Sequence, residues 1–118
     1  MIIGTGVDII EVRRMQQAVG KWGSEFLKRV FTPEELKNAK TRGSLYQHLA
    51  GRFAAKEAVF KALGDKGLNW HDVQILNDKE GKPNCIILNG RAKKIEVHIS
   101  ISHVKNYAVA NAIITRKT

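Results

Sequence analysis

Several residue types are scarce in this 118-residue sequence, and each scarcity excludes a class of protein. A single cysteine, Cys85, leaves no partner for an internal disulfide, which predicts a reducing compartment. With 2 prolines and 43% hydrophobic residues, the chain is neither a disordered nor a fibrous polymer. Its apolar runs are far shorter than a membrane span, and no basic segment follows Met1, so we expect no membrane segment and no secretory peptide. The prediction is one soluble, cytoplasmic domain over residues 1–118.

Positive charge is abundant but dispersed. The chain has 20 Lys and Arg against 11 Asp and Glu, a formal net charge of +9, and its basic residues never run to more than two in a row. Such an excess favours anionic partners, whereas nucleic-acid tails need denser blocks. The aromatic residues, 7% of the chain, do not alternate with basic residues along a strand, as a base-stacking surface requires. A small basic RNA-binding protein stays open as an alternative function.

The first half of the sequence predicts one strand followed by helices. Alternating hydrophobicity predicts a strand at residues 2–10, and two helical pieces follow over residues 12–30. The segment TPEE at residues 32–35 has the signature of a capping box for a helix that ends near Lys40. The longest predicted helix covers residues 44–63 and is followed by a glycine.

The second half predicts antiparallel strands. Val73 and Ile75 alternate with polar residues up to Asp78 and predict a strand. A turn at residues 79–83 leads to its partner strand at residues 85–88, and a short helix or turn covers residues 90–94. Alternation then predicts strands at residues 97–102 and 107–114. The order strand–helices–hairpin–short helix–hairpin indicates an α+β domain with a mainly antiparallel sheet.

The first strand and the long helix each contain acidic residues in an unusual setting. Gly4, Gly6 and Asp8 share one strand face, and glycines there leave room for a close neighbour such as a packed helix. If Asp8 and Glu57 came together, the two carboxylates would repel unless a cation lay between them. Mg²⁺ suits such a pair, whereas the cysteine and histidine spacing does not suit zinc. Two unrelated surface acids are the plainer alternative.

The long helix divides its charged residues between two positions. His48, Arg52 and Lys56 form one polar row at helical spacing. Glu57 and Lys61 fall instead in an arc shared with small and apolar residues: Ala50, Phe53, Ala54 and Phe60. Two interpretations are open: an ordinary i, i+4 ion pair that supports the helix, or a ligand site for which Ala50 and Ala54 leave room.

Near the C-terminus, Ser100 and Ser102 share a strand face and His103 follows them. A Ser–His hydrolase is disfavoured because sequence neighbours are seldom oriented as a nucleophile and its base, and no G-x-S-x-G elbow is present. A phosphate- or carbonyl-binding role is more natural. An exposed polar strand end is the plainer alternative.

Three segments in order resemble the holo-(acyl-carrier-protein) synthases, the small bacterial 4′-phosphopantetheinyl transferase family. They are GTGVDIIE at residues 4–11, GRFAAKEAVFKALG at residues 51–64 and SISH at residues 100–103, and GKP at residues 81–83 also fits. The resemblance implies the fold of that family and transfer of 4′-phosphopantetheine from coenzyme A to a serine of apo acyl carrier protein. The products are holo acyl carrier protein, for fatty acid biosynthesis, and adenosine 3′,5′-bisphosphate.

The resemblance also implies roles for individual residues. Asp8 and Glu57 would hold Mg²⁺, and Lys61 would reach the phosphates, acting by charge or by donating a proton. The base for the serine hydroxyl is either Glu57 or a water that it orients. Glu57 and Lys61 are thus the implied catalytic residues.

Family members are usually homotrimers with coenzyme A bound between subunits. The resemblance therefore implies that Ser102 and His103 face the ligand from the subunit next to the one that supplies the catalytic residues. Arg52 would contact the nucleotide phosphates, as a weaker transfer from the family. Arg13 and Arg14 occupy the place where the family docks its acidic carrier protein, and Lys21 and Lys28 extend that basic surface.

One departure concerns residues 64–67, where GDKG stands in place of the Gly-Thr-Gly segment that family members often have, and where Asp65 would alter phosphate contacts near the helix end. A third function, a Mg²⁺-dependent nuclease built on Asp8, Glu57 and Lys61, lacks the expected strand-borne arrangement of acids and lysine.

Overall fold

The domain consists of helices packed on one face of an antiparallel sheet. The computed structural model describes residues 1–40, 44–64, 68–88, 90 and 93–117. In chain order the elements are β1 (Ile2–Glu11), α1 (Val12–Val30), α2 (Pro33–Ala39), α3 (Leu45–Leu63), a 3₁₀ turn (Trp70–Asp72), β2 (Val73–Asn77), β3 (Pro83–Ile87), β4 (Ile95–His103) and β5 (Tyr107–Arg116). Strands β1, β5 and β4 pair antiparallel in that order, and β2 and β3 form a separate antiparallel hairpin. The predicted α+β class with antiparallel pairing is confirmed.

Helix α3 lies at the centre of the domain because small side chains let it approach the sheet closely. Its buried residues include Ala50, Ala54 and Ala58, and the inner face of β5 presents Ala110 and Ala112. Because small side chains separate them, the backbones of α3 and β5 lie close together. Helix α3 therefore lies directly on the sheet, where a change of one methylene is felt.

Local signals set the helix boundaries much as the sequence predicts. Thr32 caps α2 with a complete capping box, since its hydroxyl accepts from the Glu35 amide at 3.2 Å and Glu35 Oε1 accepts from the Thr32 amide at 2.8 Å. Gly64 ends α3 in the left-handed conformation, with φ 62°. Gly23, also at φ 62°, interrupts α1 close to the predicted start of its second helical piece near Trp22.

The strand limits differ by one or two residues from the predicted ones. Strand β3 begins at Pro83, inside the predicted turn, and β4 and β5 each run two residues further at one end than the alternation indicated. The 3₁₀ turn at Trp70–Asp72 was not predicted. The predicted short helix or turn at residues 90–94 rests partly on residues 91 and 92, which lie outside the described residues.

The polar row of α3 is not a solvent-facing row. Lys56 is 0% exposed and Arg52 is 7% exposed. A buried ammonium needs a partner, and Lys56 Nζ has one in Glu35 Oε1 at 2.6 Å. The sequence pointed to Glu57 and Lys61 as the charged residues of α3 in an unusual setting. The most deeply buried charged side chain of the helix is instead that of Lys56.

Among the helices in the described ranges, none is both long and apolar enough to cross a membrane.

Candidate active site

Two glycines of β1 bring this strand against α3. A Cβ on Gly4 would lie 2.1 Å from the Ala62 carbonyl oxygen, and a Cβ on Gly6 would lie 2.0 Å from that of Ala58. Neither distance is possible for a real side chain, so only glycine permits this approach. The neighbour that the glycines of β1 predict is α3 itself, and the contact places Asp8 beside the C-terminal half of that helix.

Asp8, Glu57 and Lys61 come together where β1 and α3 meet. Lys61 Nζ lies 3.1 Å from Asp8 Oδ1 and donates to the Val7 carbonyl oxygen at 3.0 Å. The Lys61 side chain is 54% exposed and that of Asp8 is 18% exposed. Lys61 thus forms its ion pair with Asp8 of β1. An i, i+4 pair with Glu57 would instead stay within α3. The cluster is open to solvent on the lysine side.

The pKa of Glu57 reports its surroundings. Burial raises the pKa of the Glu57 carboxyl above its ordinary value, repulsion from Asp8 raises it further, and the Lys61 ammonium lowers it. Asp8 and Glu57 are therefore neighbours in the fold, as the pairing hypothesis requires. Such a pair favours a cation between its members.

The donor set at this cluster fits a magnesium ion. Asp8 and Glu57 supply carboxylate oxygens, which Mg²⁺ prefers, and one or two carboxylates are its usual protein ligands. No group of three or more His, Cys, Asp or Glu side chains able to hold a metal occurs in the part of the chain that the structure describes. A metal here would complete its coordination with water or with the phosphate oxygens of a substrate.

A pocket of about 420 Å³ opens next to the cluster, between β1, α1 and α3. Asp8 and Glu57 line one side of it, and Arg14 is also part of its wall. The rest of the lining is mostly apolar and includes Ile10, Met15, Ala18, Phe26 and Phe53. Ala50 and Ala54 are 0% exposed and face the core, so the prediction that they leave room for a ligand is wrong.

A second, polar pocket of about 340 Å³ lies on the other side of α3. Arg52 and His103 line it together with Asn77, Gly81 and Pro83. Arg52 donates a hydrogen bond to the side-chain oxygen of Asn77. The sequence analysis did not single out Asn77, since nothing local marks the last residue of β2 as a partner of an arginine 25 positions earlier.

The geometry of α3 keeps the two pockets apart within one chain. Arg52 and Lys61 are nine residues apart, which at about 100° per residue places them on opposite sides of the helix. A Cβ on Gly51 would meet Ile101 of β4 at 2.9 Å, whereas the far end of α3 lies against β1. Strands β1 and β4 are the two edges of the sheet. Within one chain, the two pockets therefore lie on different sides of α3.

The outer face of the sheet is unusually apolar for an exposed surface. Val7 and Ile9 of β1 are 60% and 64% exposed, and Val109 of β5 is also exposed. Ser102 of β4 lies opposite Val109 on this face, away from α3. Contiguous apolar surface of this kind marks a contact with another molecule.

Basic residues line the exposed side of α1. Arg13, Arg14, Lys21 and Lys28 are all exposed, and Arg14 Nε lies 3.7 Å from Glu11 Oε1. Because Arg14 also lines the pocket that holds Asp8 and Glu57, this basic surface reaches the acidic cluster.

The departure at residues 64–67 falls almost wholly on residues 65–67, which lie outside the described residues.

Comparison with known proteins identifies relatives over nearly the whole chain. The model of the 4′-phosphopantetheinyl transferase superfamily matches residues 4–112. The holo-[acyl-carrier-protein] synthase of Protochlamydia amoebophila is 48% identical over 119 residues, which cover 96% of this chain and 98% of that protein.

Solved structures agree in fold as well as in sequence. The crystal structure of a holo-(acyl-carrier-protein) synthase from Bacillus anthracis in complex with CoA (3′,5′-ADP) matches with a TM-score of 0.85 and 38% identity, covering 100% of this chain and 99% of that one. The synthase from Neisseria meningitidis matches with a TM-score of 0.89 and 31% identity, covering 98% and 99%. With Asp8, Glu57 and Lys61 brought together on a fold shared with these synthases, the chain belongs to the 4′-phosphopantetheinyl transferase superfamily.

Proposed function

We propose that this chain is a holo-(acyl-carrier-protein) synthase, which transfers 4′-phosphopantetheine from coenzyme A to a serine of apo acyl carrier protein. The observation that carries the proposal is the cluster of Asp8, Glu57 and Lys61 at an open pocket, in a chain of this superfamily. The relatives named above are holo-(acyl-carrier-protein) synthases, which gives no support to the RNA-binding alternative. In this reaction, the net positive charge would attract the phosphates of coenzyme A and an acidic carrier protein. A cytoplasmic location, expected from the lone cysteine, stays a prediction.

The reaction sets the bonds that change. The serine oxygen of the carrier forms a bond to the phosphorus that bears the pantetheine arm, and the bond from that phosphorus to the bridging oxygen breaks. Adenosine 3′,5′-bisphosphate then leaves with additional negative charge. Catalysis of phosphoryl transfer is mostly positioning and charge stabilisation, so charged groups must surround the pyrophosphate.

The residues of the cluster meet these demands. Asp8 and Glu57 would hold Mg²⁺, which when bound stabilises the charge that develops on the phosphate oxygens. Lys61, half-exposed beside Asp8, contacts the phosphates and stabilises the departing bisphosphate. A Glu57 oxygen, or a water that Glu57 orients, accepts the proton of the serine hydroxyl. The basic residues Arg13 and Arg14 bind the acidic carrier next to this cluster.

Purified protein, coenzyme A, Mg²⁺ and an apo acyl carrier protein should yield a carrier whose mass increases by one phosphopantetheine group. A chelator should stop the reaction and added Mg²⁺ should restore it. A carrier whose acceptor serine is replaced by alanine is the control and should stay unchanged. If several bacterial apo carriers remain unmodified while the protein binds RNA tightly and with a steep salt dependence, the RNA-binding alternative is correct.

The separation of the two pockets supports a homotrimer with its active sites between subunits. Arg52 and His103 would bind coenzyme A from one subunit, and Asp8 and Lys61 from its neighbour. Ser102 lies on the outer face of the sheet and not in the pocket of Arg52 and His103, so the expected grouping of Ser102 with these two residues is corrected. The exposed apolar face formed by β1 and β5 supplies a surface for subunit contact. Each active site would then need both pockets, one from each of two chains.

Mixed oligomers test this arrangement. Glu57→Gln and Arg52→Met each remove one side of the shared site, so each variant alone should be inactive. When the two variants are co-expressed at equal levels, about a quarter of wild-type activity should return. In a randomly assembled oligomer, about one site in four combines an intact Glu57 from one subunit with an intact Arg52 from its neighbour. Glu57→Gln with Lys61→Met is the matched control and should stay inactive, because both changes affect the same side. No gain from the first mixture would contradict a shared site.

A further inference from the structure

Lys56 precedes the proposed metal ligand Glu57 and has all three of its ammonium protons engaged. Its Nζ donates to the Val30 carbonyl oxygen at 2.8 Å and to the Trp70 carbonyl oxygen at 3.0 Å, and it lies 2.6 Å from Glu35 Oε1. A lysine ammonium has three donors and no acceptor. Each donor of this buried group therefore has a partner on a different element.

The partner carboxylate is equally well satisfied. Glu35 Oε1 also accepts from the Thr32 amide at 2.8 Å, and Glu35 Oε2 accepts from the Ile75 amide at 2.8 Å. The Lys56–Glu35 pair thus joins α3 to the end of α1, to α2, to the 3₁₀ turn and to β2. Burial lowers the pKa of Lys56, and attraction to Glu35 opposes that effect.

The sheet side of α3 is closely packed, but its apolar contacts are non-directional. Its small residues, among them Ala54, Ala58 and Ala62, pack against apolar side chains of the sheet such as Ile10 and Ile101. Directional contacts occur on the other side. The Trp70 ring packs on Phe53 and Phe60, with ring centres 5.2 Å and 5.1 Å apart, and its carbonyl accepts from Lys56.

We propose, on the basis of the function above, that Lys56 is a positioning residue for phosphopantetheinyl transfer. Its bonds fix the rotation of α3 and so hold Glu57 and Lys61 against Asp8. They also join α3 to the end of α1. Lys56 thereby sets the position of Glu57 and Lys61 relative to the phosphates without contacting the substrate.

The size of the effect follows from helix geometry. A rotation of about 10° moves a carboxylate that lies about 6 Å from the helix axis by about 1 Å. A misplacement of about 1 Å costs about 100-fold in rate. We expect Lys56→Met to lower kcat by about that factor. The KM for coenzyme A should change less than kcat, because His103 lies on β4, outside the rotated helix, and reacting groups need closer alignment than binding groups do.

The experiment measures kcat and KM for coenzyme A per folded molecule, well below the melting temperature of each variant. The double variant Glu35→Gln with Lys56→Met removes both charges and covers the case in which Lys56→Met alone does not fold. Val73→Ala is the control, since it removes buried volume from the same core without touching Lys56, and lowers the melting temperature.

A kcat about 100-fold below wild type in the Lys56 variants, with Val73→Ala at the wild-type kcat, supports the proposal. It is overturned if a folded Lys56 variant keeps kcat within threefold of wild type, or if Val73→Ala lowers kcat as much. Inactive wild-type protein in the same assay would instead contradict the proposed function, so the two failures are distinguishable.

Discussion

Glu57→Gln is expected to reduce kcat/KM for carrier modification by about three orders of magnitude while the protein stays folded. The substitution removes one of two carboxylates proposed to hold the metal and the group proposed to accept or direct the serine proton. Losing a single electrostatic contact to a developing charge costs about 10²- to 10³-fold, and Glu57 serves in both capacities. The measurement is the initial rate of carrier modification, followed by mass.

The fold should tolerate this change. Burial and the Asp8 carboxylate raise the pKa of Glu57, which means that the folded chain disfavours its ionised form. A neutral amide of the same shape therefore leaves stability unchanged or slightly improved. Glu80→Gln makes the same charge change in the exposed β2–β3 turn and should keep full activity. Rates of Glu57→Gln within tenfold of wild type would exclude the proposed role of Glu57.

Gly6→Ala is expected to have the largest effect on stability, a loss of about 3 kcal/mol or more, because overpacking against a backbone atom is more costly than against a flexible side chain. The new Cβ would lie 2.0 Å from the Ala58 carbonyl oxygen, so α3 or β1 must move. A domain of this size has only about 5–15 kcal/mol of stability. Urea or thermal unfolding measures the change.

A matched glycine gives the opposite sign. Gly20 lies inside α1, and a Cβ there has no heavy atom within 4 Å. Gly20→Ala should therefore raise the free energy of unfolding by about 0.5–1 kcal/mol, the ordinary gain for alanine over glycine in a helix. A Gly6→Ala protein as stable as wild type would mean that β1 and α3 are not in the close contact described above.

Local signals explain why much of the fold was predictable. The capping box at Thr32 and Glu35, the left-handed Gly64 and the alternation along β4 each depend on a few neighbouring residues, and each was predicted close to where it occurs. The glycine face of β1 also predicted a close neighbour. Two glycines on one strand face leave space that another backbone can fill.

Contacts between distant residues explain what the sequence could not show. Lys56 and Glu35 each look like an ordinary surface residue of an amphipathic helix, and only packing reveals them as a buried pair. The hydrogen bond between Arg52 of α3 and Asn77 of β2 likewise forms only through tertiary packing. At the active site, the glycines of β1 and the position of Glu57 suggested its pairing with Asp8, but unrelated surface acids stayed the plainer interpretation until the resemblance to a family was considered.

Cys85 illustrates how burial decides reactivity. Burial raises the pKa of the Cys85 thiol to about 12, and the Glu35 charge adds to that effect. The thiolate is therefore scarce near neutral pH, and this lone cysteine is poorly reactive as a nucleophile.

The double role of Glu35 has a consequence for how the domain unfolds. The same carboxylate closes the cap of α2, three residues away, and receives bonds from Lys56 and from the Ile75 amide, 40 residues away. The helix cap and the core therefore share one charge, which is stable in its buried place only while both are formed. Neither is expected to be lost first, so α2, α3 and β2 should melt as a single cooperative unit.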